Sequence, residues 1–130
     1  MSTRFLTMFG FACVLATIGL AAAQPSPDDQ RRAAITLMRA INTAENAVKH
    51  GGAGKYVHLA ELLEHPAMAR VKSDIVIKGA TATHQGATIR LALSTDATQY
   101  QVAVVPGETC GWAAFSDERG LIYAGKVLDC

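Results

Sequence analysis

The chain has 130 residues, a length that suits one domain. Twelve Lys and Arg stand against eleven Asp and Glu, for a net charge of +1, with no basic run. That balance argues against a nucleic-acid partner.

Residues 1–23 have the make-up of a secretory signal peptide. Arg4 is the single charge, Phe5 to Leu20 is a nearly unbroken apolar run, and Ala21, Ala22 and Ala23 offer the small residues that signal peptidase needs. Cleavage after Ala23 leaves one domain over residues 24–130, formally neutral once Arg4 is gone. The alternative is an uncleaved anchor, for which Phe5 to Ala23 is barely long enough. The expected location is therefore the periplasm or the cell exterior. Cys13 leaves with the leader, so Cys110 and Cys130 remain as an even pair. In an exported protein such a pair is most simply a disulfide. It would close a loop of about 20 residues and stabilise by about 3 kcal/mol on the chain-entropy account.

A long amphipathic helix opens the mature chain. Ser26 is a good N-cap, Pro27 falls at the first helical position, and Asp28 and Asp29 meet the positive end of the macrodipole. Ala34, Leu37, Met38, Ile41, Ala44 and Val48 recur at steps of three and four as one apolar stripe. Gly51 and Gly52 are expected to end it. Tyr56 to Leu63 has helical spacing but is short, and Pro66 follows.

From residue 73 the period changes to alternation. Ile75 to Ile77, Thr81 to Thr83, Thr88 to Leu93 and Tyr100 to Val105 are separated by short polar or glycine turns. Trp112 to Phe115 and Leu121 to Ala124 flank a further turn at Ser116 to Gly120. Short spacers suit antiparallel hairpins. The expected fold is α+β: a long N-terminal helix packed on an antiparallel sheet of about four strands, with a C-terminal disulfide.

The segment from Arg39 to Leu63, with Ile41-Asn42-Thr43-Ala44 leading through Gly54 and Tyr56 to Leu59 and Leu62, resembles the globular domains of type IV pilins and type II secretion pseudopilins. Tyr100 to Pro106 resembles that family's strand ending in proline, and Phe115 to Tyr123 its late hairpin. The resemblance implies a pilin-like sheet and a C-terminal loop stapled by Cys110 and Cys130. It also implies a partner among envelope, secretion or pilus components. Counted from Phe11, the fifth residue is Leu15, where assembling pilins carry glutamate. A soluble, exported variant is the expectation, and a membrane-retained minor pseudopilin is its alternative.

No chemistry-bearing constellation stands out. None of His50, His58, His65 and His84 pairs at the i, i+4 spacing of a helical zinc site, and they read as surface residues at helix ends. Ser116 with Asp117, and Ser94 with Asp96, read as turn formers. Glu61 and Glu64 read as a solvated face. Asn42 and Thr43, mediocre helix formers inside the long helix, point either to the sheet, to a partner or to an exposed face. Trp112 is expected to pack beside a cysteine bridge. The expectation is a non-catalytic protein acting by binding or assembly, without cofactor or metal. A small secreted hydrolase or metal-dependent enzyme using His58, His65 or His84 is the alternative.

Overall fold

A computed structural model describes residues 25–107 and 110–126, so the leader expected over residues 1–23 lies outside the described residues. Helix α1 (Pro27–Val48) starts at the predicted cap, where the Ser26 hydroxyl accepts the Asp29 N–H at 3.2 Å. Its buried face is Ala34, Leu37, Met38, Ile41 and Ala44, joined by Glu45; Val48 is only partly buried. Leu37, Met38 and Ile41 are wholly sealed from solvent, and burial of each such side chain stabilises by about 1.5–3 kcal/mol. The α-helix proper ends at Val48 and passes into a wider turn, Lys49–Ala53. Of the two glycines expected to end it, Gly52 breaks the helical conformation with a positive φ of 122, just before Gly54. Gly54 takes the left-handed conformation (φ 66) and returns its N–H to the Lys49 carbonyl at 3.0 Å.

A single turn, α2 (Leu59–Leu62), and two 3-10 turns at Pro66–Met68 and Lys72–Asp74 lead to the sheet. They contribute Leu62, Met68 and Val71 to the core.

The sheet has six antiparallel strands: β1 (Ile75–Lys78), β2 (Thr81–His84), β3 (Ala87–Leu93), β4 (Tyr100–Val105), β5 (Trp112–Asp117) and β6 (Tyr123–Lys126). Spatial order equals chain order. This corrects the expectation of a pilin-like sheet of about four strands. The short runs at both ends of the strand region pair fully, β1 with β2 over four residue pairs and β5 with β6 over another four, and widen the sheet into one meander. The C-terminal disulfide of that expectation is not part of the observed fold either. Cys110 is exposed and bonded to no cysteine among the described residues, and Cys130 lies outside them.

Strand register sorts the side chains. The pairs Ala82 with Ile89, His84 with Ala87, Ile89 with Val104, and Val104 with Ala114 put all six residues on one face. Tyr100, Val102 and Ser116 share that face, and α1 lies across it over β4 and β5. The opposite face carries Phe115 and Tyr123, exposed neighbours with ring centroids 6.4 Å apart. No helix among the described residues is long and apolar enough to cross a membrane.

Candidate functional site

Beneath the first turns of α1 the helix and sheet do not close. A cavity of about 160 Å³ lies between Gln30, Ala33 and Ala34 of α1 and His84, Ala87, Val104 and Trp112 of the sheet. The β2–β3 hairpin shapes one wall. Its two-residue turn puts both Gln85 (φ 49) and Gly86 (φ 83) at positive φ, as a type I′ turn demands. Gln85 is not a glycine, so the turn carries local backbone strain. The loop after β4 lies so close that a Cβ on Gly107 would meet the Gly86 carbonyl oxygen at 2.6 Å. Only glycine permits that approach.

His84 is the polar side chain of the cavity that stands out. It is 4% exposed and makes no hydrogen bond with the described residues. Burial pushes its imidazole below the ordinary histidine range, while nearby Asp74 pulls weakly the other way. The ring is therefore held neutral, with one nitrogen as donor and the other as acceptor. Two other polar side chains at the cavity, Gln30 and Gln85, are engaged. Gln30 donates to the Pro25 carbonyl at 3.4 Å, and Gln85 donates to Asp74 at 3.2 Å. At the rim, the Arg31 guanidinium lies 5.0 Å and the Lys126 ammonium 5.9 Å from the Trp112 ring centroid. Both distances are within cation–π reach.

At the other end of α1 the polar groups are closed in. Asn42 donates to the Ser116 hydroxyl at 2.8 Å and to the Gly120 carbonyl at 3.3 Å, and accepts the Tyr100 hydroxyl at 2.7 Å. Ser116 in turn donates to the Leu121 carbonyl at 2.8 Å. Tyr100 packs edge-on against Tyr56 at 4.7 Å between centroids. Lys49 donates to the Thr98 carbonyl at 3.0 Å and lies 4.2 Å from the Tyr56 ring centroid. Glu45 is fully buried. Its Oε2 accepts the Val57 N–H at 3.1 Å, and its Oε1 has no partner among the described residues. Burial pushes its carboxyl up from the usual 4.5 to about 7, against the lowering effect of the Val57 N–H. Burial also raises the Tyr100 phenol well above its usual range.

The remaining sequence candidates are dispersed. His50 and His58 are exposed, and His65 Nδ1 accepts the Ala67 N–H at 3.1 Å. His84 departs from the expected surface position, because β2 turns it inward beside Ala87 instead of placing it at a helix end. Among the described residues no three His, Cys, Asp or Glu side chains gather to hold a metal ion. Ser116 and Asp117 point to opposite faces of β5, Asp117 being tied to Arg119 at 2.6 Å. Ser94 and Asp96 close the β3–β4 loop, where hydrogen bonds from Ser94 and then Thr98 hold Asp96 down at about 2. Glu64 is exposed and paired with Lys72 at 2.7 Å. Trp112 lines the cavity, and of the bridge expected beside it only Cys110 is among the described residues.

No protein-family model, curated protein or solved structure matches this chain.

Proposed function

We propose that this protein is an exported, non-catalytic binding domain that takes a small, largely apolar ligand into the cavity beneath the start of α1. The observation that carries this reading is the cavity itself, apolar on most of its walls, with a buried imidazole that has no partner among the described residues. Concave, mostly apolar sites with a few placed polar groups are the usual form of small-molecule sites. The absence of turnover is supported by Ser116, whose hydroxyl is committed both as acceptor from Asn42 and as donor to Leu121. Export is supported by the leader-like residues 1–23.

The chain's single tryptophan lines the cavity, so its fluorescence is the direct reporter of occupancy. Titration of the purified protein with small ring compounds should give a saturable change in Trp112 emission and a rise in melting temperature. A flat response to every probe would overturn the binding reading. Sequencing of the protein from its native compartment should begin at Gln24. A start at Met1 would overturn cleavage of the leader, and a start at Phe11 would replace it with processing of the pilin kind.

A further inference from the structure

We infer that the ligand of this cavity is an uncharged alcohol or phenol of about one six-membered ring, its hydroxyl paired with His84 and its apolar body held among Ala33, Ala34, Val104 and Trp112. This rests on the binding reading above and adds the chemical class. Size comes first. A cavity of about 160 Å³ is close to the ~150 Å³ that accepts one benzene in an apolar protein interior. One ring fills that space.

Polarity comes next. The walls offer Ala33, Ala34, Ala87, Val104 and Pro106, against which only apolar atoms are accommodated without loss. Glu45 Oε1 is the one side-chain atom among the described residues that is both fully sealed and unpartnered. The His84 nitrogens make no hydrogen bond with the described residues, and His84 lines the cavity. A neutral imidazole offers one donor and one acceptor, and a hydroxyl is the small group that answers both. A carboxylate could use only the donor and would bring a charge into an apolar recess. A cationic ligand would meet Arg31 and Lys126, both beside Trp112 at the rim. A bare hydrocarbon would fill the space and leave the imidazole unpaired.

The test uses phenol, benzene and benzoate on the purified protein, read by Trp112 emission, melting temperature and the ring-nitrogen NMR signals of His84. Phenol should bind about threefold to tenfold more tightly than benzene, the range of one net hydrogen bond, and only phenol should move the His84 signals. His84→Leu should abolish that preference and retain benzene. Ala33→Phe, which fills the cavity from the helix and leaves His84 in place, should abolish both. Equal affinity for phenol and benzene, or benzoate as the tightest probe, would overturn the ligand class and leave the binding reading standing. Silence from all three probes would overturn both.

Discussion

The two ends of α1 rest on the same sheet face and treat buried polarity in opposite ways. Near its C-terminal end, Asn42, Tyr100 and Ser116 form a network in which each hydroxyl and amide finds a partner. Near its N-terminal end a single imidazole, just as deeply buried, faces a cavity. The first arrangement locks helix to sheet, and the second leaves space. Deep burial alone therefore does not distinguish a structural polar group from a ligand-facing one. Lack of a partner among the described residues together with an adjoining cavity does, since Glu45 Oε1 is also buried without such a partner.

The largest effect expected from breaking this contrast is at Asn42. Asn42→Ala should destabilise by about 3 kcal/mol in denaturant unfolding, from the lost hydrogen bonds and a Tyr100 hydroxyl left without its acceptor. An effect below about 1 kcal/mol would show that the network does not lock the helix.

The next effect is a pH response at the same end. The Glu45 carboxyl keeps its proton up to about 7 in the folded chain, against 4.5 ordinarily. The folded state thus holds the extra proton between those values. Its stabilising contribution is complete below pH 4.5 and is lost as the pH rises through 7, a swing of roughly 3 kcal/mol. His84 pulls the other way, because burial keeps it neutral while the unfolded chain takes up a proton below about 6.5. Subtracting wild type from Glu45→Gln at each pH removes the His84 contribution. The stability gain of Glu45→Gln should grow from pH 4.5 to 8, and a difference flat with pH would refute the raised carboxyl.

At the open end the substitutions should matter less. His84→Leu should leave stability within about 1 kcal/mol of wild type or improve it, since His84 has no hydrogen bond with the described residues to lose. A loss of more than about 2 kcal/mol would place His84 with the locked network instead. Arg31→Ala should be the smallest, about 0.5 kcal/mol in thermal unfolding, the scale of an exposed cation–π contact.

Much of this arrangement was legible in the sequence. The Ser26-Pro27 start and the stripe from Ala34 to Ala44 encode α1, because capping and period are local properties. The alternation of Thr88 to Leu93 and Tyr100 to Val105 marked β3 and β4. Strand number was harder to read. The runs at Ile75 to Ile77 and Leu121 to Ala124 were visible. Yet β6 is exposed on all four residues and β1 buries only Ile75, so neither has a buried face to mark it as part of the sheet. Such strands form because a neighbour's backbone is waiting, and that partner lies elsewhere in the chain. His84 and Glu45 were missed for a different reason: residue type suggested solvent where position did not. Glu45 sits four residues beyond Ile41, on the stripe, and His84 two beyond the inward Ala82. The two periods pointed inward at both places. The partners that decide what each group does, Val57 for Glu45 and an open cavity for His84, come from tertiary packing.

Because spatial order in the sheet repeats chain order, every strand pairing can close through a short loop. Such local closures are kinetically cheap. The docking of α1 onto β4 and β5 is instead a distant closure, with Asn42 and Ser116 separated by 74 positions. That closure should dominate the folding barrier. A weakened Asn42 would then slow refolding if its bonds form in the transition state, and speed unfolding if they form after it. The meander thus separates short local closures from the distant docking of the helix.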